Sequence, residues 1–257
     1  MHNKKRLSTI ISVVLLGLIA VAFIFPFVWM ILTSLKTLSE SMQIPPTILP
    51  ADWQSKNYGD AMASLPFFSL YKNTALMIFW RVVCAVLFSS MAGYAFAKLN
   101  FKGKNILFSL VLIQMMLPSQ IFITPQYQML ARFGLTNTIF ALVFPGLVSA
   151  FGTFFLRQAY LGIPDEIAEA AYLDGCNQWQ TFTKVMAPLT KSSMAALAVF
   201  TAVFAYGDLM WPLIVTSNTS MRTLTNGLAM FVDSSHQYGT AFAGAFISIC
   251  PMLVLYI

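Results

Sequence analysis

Charge is scarce in this sequence: only 9% of its 257 residues are Asp, Glu, Lys or Arg, while 58% are apolar. Soluble domains carry about 25% charged residues, so this chain lacks the polar groups to coat a water-facing surface and is read as bilayer-embedded. Cysteine is equally sparse. Cys84 and Cys250 stand inside apolar runs and Cys176 in a polar loop, which excludes a disulfide framework and any metal-ligand spacing. With His2 and His236 as the only histidines, no H-E-x-x-H pair exists. No G-x-x-x-x-G-K-[ST] loop is present either, so the chain cannot cradle ATP by that motif. Neither a Ser/His pair nor paired carboxylates or a metal cluster falls in the apolar runs, which argues against an intramembrane enzyme. The net charge of +6 is scattered in ones and threes between apolar runs and lines no face, so no nucleic acid is expected.

What the sequence does have is long apolar stretches, near residues 10–32, 74–97, 106–123, 138–156, 193–215 and 241–257. A spanning helix needs about 20 apolar residues, and a backbone in lipid must satisfy its own hydrogen bonds. The expected fold is therefore an all-α integral membrane domain with six transmembrane helices over residues 1–257. Ala20-Val21-Ala22 resembles a signal-peptidase site, but the apolar run continues past the ~15 residues of a usual signal core, so an uncleaved first span is expected. With the N-terminus inside, the cytoplasmic segments collect Lys4, Lys5, Arg6, Lys98, Lys102, Lys104, Arg157, Lys184 and Lys191. The outer segments hold Lys36, Lys56, Lys72, Arg132 and Arg222. This asymmetry predicts both termini in the cytoplasm and places the polar segment 157–192 inside. The first external loop, from Lys36 to Tyr71, carries Pro45, Pro46, Pro50 and Pro66 and is expected to be an extended connector. The polar loop from Ser217 to Gly239 is available to an external partner.

The inner segment reads IPDEIAEAAYLDGCNQWQTFTKVMAPL. Pro164 suits a first helical turn, Asp165 and Glu166 complement the helix dipole, and Gly175 supplies a stop, which predicts a short helix from about Pro164 to Asp174. Asn177 can cap a second helix, in which Trp179, Phe182 and Met186 recur at helical spacing and are expected to be buried. Two short helices joined at a glycine make a protruding elbow.

Glu169-Ala170-Ala171, Asp174-Gly175, nine residues, then Val185-x-Ala187-Pro188 resembles the EAA loop of ABC-importer permeases, E-A-A-x-x-x-G-x9-I-x-L-P. Val185 and Ala187 depart from the usual Ile and Leu. Gln114 with Pro118, Leu156-Arg157-Gln158, Trp211-Pro212-Leu213 and Arg222-Thr223-Leu224 are similar to the carbohydrate branch of that family, closest to the second permease of maltose-type importers. The resemblance implies type I permease architecture and a non-catalytic subunit for import of sugars or oligosaccharides across a bacterial cytoplasmic membrane. It also implies a companion permease in a heterodimer, two cytoplasmic ATPase subunits or domains, an extracytoplasmic solute-binding protein and surrounding lipid. No cofactor is expected on this chain, since ATP and Mg are used by the ATPase. Coupling residues carried over are Glu169 for a charged partner, Ala170 and Ala171 for close approach, Leu173 as an apolar knob, and Asp174 with Gly175 at the turn.

Ionisable and polar residues within spans are costly and mark further candidates. Arg81, Gln114, Gln120, Asn137, Thr153 and Asp208 are the candidates for a polar translocation path, with interhelical hydrogen bonding as the duller use of each. Pro118 is expected to kink the third helix. Arg81 and Asp208 each lie roughly seven residues, about 10 Å, from the outer end of their spans, so an ion pair is possible, with water-exposed cavity positions as the alternative. A proton-coupled secondary transporter using Asp208 and an ABC permease for a non-sugar solute stand as the rival readings.

Overall fold

The structure, a computed structural model, describes residues 2–234 and 237–256; His236 and the end of the last apolar run at Ile257 lie outside them. Among the described residues two helices are long and apolar enough to cross a membrane alone, α1 (His2–Ser34) and the longer apolar rod that follows the first loop. That loop is not wholly extended. It carries α2 (Leu38–Ser41) and α3 (Lys56–Ser64) before α4 (Phe67–Lys98), the second long helix. The reason for α2 is local: Thr37 and Glu40 form a capping box, with the Thr37 hydroxyl accepting from the Glu40 N–H and the Glu40 carboxylate accepting from the Thr37 N–H. Glu40 also accepts the Ala51 N–H at 2.7 Å, and these backbone donors, Ala51 first, hold its carboxyl below the ordinary range.

The remaining chain departs from straight spans. α5 (Lys104–Met116) meets a 3-10 turn (Ser119–Phe122) and α6 (Ile123–Arg132) at a bend of 101°. α7 (Ile139–Val143) runs through a second 3-10 turn (Phe144–Gly146) and bends by 48° into α8 (Ala150–Leu161). After α9 (Asp165–Leu173) come α10 (Gln178–Gln180), a π-helical stretch (Thr181–Met186) and α11 (Ala187–Leu189). These lead at 75° into α12 (Lys191–Gly207). The chain closes through α13 (Met210–Val215), α14 (Leu224–Ser234) and the apolar α15 (Tyr238–Tyr256).

The expected stretches 106–123, 138–156 and 193–215 are therefore not single helices. Pro118 pushes Leu117 into an extended conformation and ends α5, a stop where only a kink was expected. Pro145 ends the regular part of α7, and the side chain of Ser149 caps a new start for α8, which continues beyond 156 to Leu161. Asp208, with φ −69° and ψ 112°, separates α12 from α13.

Two compact units emerge, residues 1–67 with 227–257 and residues 68–226. In the first, α15 packs on α1, α2 and α3. The buried Asn57 amide donates to the carbonyls of Ser34 (2.9 Å) and Lys36 (3.0 Å), and Tyr58 meets Phe246 edge to face. Along α1 every side chain from Ile11 to Phe27 stays exposed. A helix apolar all round and uncovered by its own chain belongs in lipid or against another subunit.

In the second unit α4 is the rod on which other elements rest. Gly93 lets α8 approach: a Cβ there would stand 2.9 Å from the Arg157 backbone nitrogen and 3.1 Å from the Leu156 carbonyl carbon. Below this crossing Tyr94, Leu156, Tyr160, Phe182 and Met186 form one core; above it Met77, Leu142, Trp211 and Val215 belong to another. Gly93→Val should therefore force α4 and α8 apart and destabilise the protein by about 1–3 kcal/mol. Thermal unfolding in detergent measures this, with Gly59→Ala, at a site with nothing within 4 Å, as the control expected to change little.

Candidate functional site

The elbow is built largely as its signals predict. Pro164 stands one residue before the helix, in an extended conformation, and Asp165 and Glu166 occupy the first turn of α9. Gly175 adopts φ +83°, and the Cys176 N–H reaches back to the Ala171 carbonyl at 3.0 Å, closing the helix end in the left-handed geometry that favours glycine. Asn177 caps α10 through a capping box with Gln180.

Which residues face outward differs from the expectation in two places. Ala168 and Ala171, three residues apart, are both buried, so Ala171 packs inside this chain and cannot serve close approach to a partner. Glu169, Ala170 and Leu173 share the opposite face and are exposed, Leu173 at 89%; Asp174 follows as the exposed cap. In the second limb Phe182 and Met186 are buried as expected, but Trp179 is 58% exposed, its ring tilted at 45° to that of Phe182 with 5.5 Å between centroids.

One face of α4 holds the end of α8 and the elbow. Ser90, Tyr94 and Lys98 recur every four residues, and they meet respectively the Tyr160 hydroxyl (2.7 Å), the Tyr172 hydroxyl (3.5 Å) and the turn before α9. Lys98 donates to the Ile163 carbonyl at 2.6 Å and pairs with Asp165. Sequence reasoning used Lys98 only as a topological charge and missed this anchor, since nothing local links positions 98 and 165.

The second feature is a cavity of about 1030 Å³ in the same unit. Leu117 and Gln120 reach it from the first break, Pro145 and Gly146 from the second, and Gly207 and Asp208 from the third. Broken backbone at membrane depth persists where it lines a cavity, which is the setting of all three.

Arg81 and Asp208 pair at 2.8 Å on the cavity wall. Pro145 has no N–H to offer the Ala141 carbonyl four residues earlier, and the Trp211 indole donates to it instead at 2.8 Å. The next carbonyl, of Leu142, accepts Arg81 Nε (2.9 Å) and Nη2 (2.6 Å). Arg81 passes over Gly146, where a Cβ would lie 2.7 Å from its Cγ. Asp208 spends its second oxygen on the Trp211 N–H at 3.4 Å. The arginine and the tryptophan thus repair the helix that Pro145 breaks.

Gln114 and Gln120 line the cavity, as does Gln126, which falls between the expected stretches 106–123 and 138–156 and was not singled out. Asn137 and Thr153 do not line it. Asn137, at φ +58°, accepts the N–H groups of Ser217 and Asn218, both at 2.8 Å, and so pins a loop. Thr153 is buried, its hydroxyl turned back to the Ser149 carbonyl at 2.9 Å.

Comparison with known proteins follows the same outline. The chain is 36% identical to the arabinooligosaccharides transport system permease protein AraQ of Halalkalibacterium halodurans, over 99% of this chain and 94% of that one. It is 28% identical to the lactose transport system permease protein LacG of Rhizobium radiobacter (98% and 92% covered). With the sn-glycerol-3-phosphate transport system permease protein UgpE of Yersinia enterocolitica the identity is 29% (97% and 92% covered). The fold matches a chain from the crystal structure of a bacterial ABC transporter involved in the import of the acidic polysaccharide alginate, with TM-score 0.82 at 22% identity over 98% of this chain and 95% of that one. Residues 85–257 match the family described as binding-protein-dependent transport system inner membrane component, and the chain belongs to that family.

Proposed function

We propose that this chain is a permease subunit of an ATP-driven bacterial importer for sugars or oligosaccharides, with the cavity as part of the translocation path. The observation that carries the coupling role is the exposed Glu169, Ala170 and Leu173 face of α9, ended by the left-handed Gly175. Leu173 is a large apolar side chain almost wholly uncovered by its own chain, which suits a knob for a groove on an ATPase. ATP closure of the ATPase pair then moves α9, and the anchors at Tyr94 and Lys98 transmit that motion to α4, whose Arg81 lines the cavity.

In this reading the complex holds a companion permease as a heterodimer, two ATPase subunits or domains that bind ATP and Mg, and an external solute-binding protein. Both termini face the cytoplasm, and α1, α4, the bent pairs α5–α6 and α7–α8, α12 with α13, and α15 make six crossings, as the positive charges favour. Relatives that import arabinooligosaccharides and lactose support the substrate class. Asp208, the residue on which the proton-driven alternative rests, is engaged by Arg81 and by the Trp211 N–H.

The purified chain alone should show no ATP hydrolysis. Activity should appear on adding the companion permease and ATPase with loaded binding protein, and hydrolysis by the isolated chain, with contaminants excluded, would contradict the assignment.

A further inference from the structure

We infer that the cavity wall supplied by this chain selects uncharged, hydroxyl-rich solutes, neutral oligosaccharides, over sugar acids and sugar phosphates; this rests on the cavity being part of the translocation path. Similarity leaves that choice open. Among the similar proteins, one is named for lactose transport, another for sn-glycerol-3-phosphate transport, and a neighbour in fold imports an acidic polysaccharide.

The argument is one of charge. Among the described residues lining the cavity, Arg81 and Asp208 are the ionisable ones, and they neutralise each other at 2.8 Å. Arg81 also gives two donors to the Leu142 carbonyl, so its guanidinium is committed to the protein before any solute arrives. Its side chain is 8% exposed and that of Asp208 is 22%, so the carboxylate is the more accessible member of the pair. An anion entering here would shed hydration and find no unpaired cation to replace it. Pores that pass anions carry free Arg or Lys, which the described residues of this wall lack.

A neutral sugar meets the opposite situation. Gln114, Gln120 and Gln126 each offer two donors and an acceptor without charge, matching hydroxyls that both give and take hydrogen bonds. Phe122 and Phe151 supply apolar faces for the C–H faces of pyranose or furanose rings.

The test is calorimetric titration of the nucleotide-free complex of this chain, its companion permease and the ATPase pair in nanodiscs. The neutral probes are arabinotriose, lactose and diacetylchitobiose, and the anionic probes are trigalacturonate and sn-glycerol-3-phosphate. At least one neutral probe should bind about tenfold or more tighter than either anion. Gln120→Lys, which adds an unpaired cation to the wall, should shift the anion-to-neutral preference about tenfold toward anions. Asp208→Asn, which leaves the Arg81 charge uncompensated, should shift it the same way. Equal binding of an anionic probe, binding of no probe, or an unchanged preference in Gln120→Lys overturns the inference. ATP hydrolysis stimulated by loaded binding protein in the same preparation reports separately on the importer reading, so the two can fail independently.

Discussion

Gly175→Val should cut ATP-driven uptake by about tenfold or more, together with stimulated ATP hydrolysis, while insertion of the chain into the membrane survives. The cause lies in the backbone. Gly175 sits at φ +83°, a region that costs an L-residue about 1–2 kcal/mol and a β-branched residue more. Nothing stands within 4 Å of a Cβ built there, so the substitution meets no clash inside this chain and acts by unwinding the turn. Loss of that turn removes the return bond from Cys176 to Ala171 and lets the exposed face of α9 drift from the angle at which a partner would find it. Gly175→Asn is the control, because asparagine tolerates the left-handed region and should retain most uptake. Uptake by Gly175→Val at the unaltered level, or equal loss in both variants, would remove the turn from the coupling account.

The second large effect concerns the cavity wall. Arg81→Met strands the Asp208 carboxylate and leaves the Leu142 carbonyl without its two donors; Asp208→Leu strands a guanidinium whose side chain is 8% exposed. Breaking a buried pair by removing one partner costs about 3–5 kcal/mol, whereas removing both spares the uncompensated charge. Thermal stability of the assembled complex should therefore fall steeply in each single variant. In the double variant the loss should be clearly less than the sum. Arg81→Met is expected to cost more than Asp208→Leu, because only arginine also serves the carbonyl left open by the α7 break. Additive losses would mean that the 2.8 Å contact contributes no coupling.

The elbow was legible because its instructions are local. Asp165 and Glu166 at a helix start, Gly175 at its end and Asn177 at the next start each act within four residues, and each is found in its expected role, with Pro164 displaced by one position. The Arg81–Asp208 pair was legible for a different reason: helical rise fixes depth, and equal depth made the pairing possible although it could not say which way either side chain turned. Beyond the kink expected at Pro118 the three breaks were not legible, since the apolar stretches continue on both sides of Pro118, Pro145 and Asp208. A proline in an apolar run allows a kink, a full stop or a re-entrant turn, and the choice depends on whether distant groups take up the freed carbonyls. At Pro145 those groups are Trp211 and Arg81, more than 60 residues away in sequence.

Small polar residues failed for the same cause. Thr153 satisfies itself on its own helix and Asn137 on a loop 80 residues away, neither of which its neighbours in sequence reveal. Ala171 was assigned outward with Ala170 on motif grounds, yet adjacent helical residues point about 100° apart, and its partner in facing is Ala168.

The most direct measurement of the central claim is sugar uptake into vesicles carrying this chain with its companion permease, ATPase pair and binding protein, with ATP supplied on the ATPase side. Uptake should require ATP and should persist when the proton gradient is collapsed. Accumulation that continues without ATP and stops with the proton gradient would contradict the account.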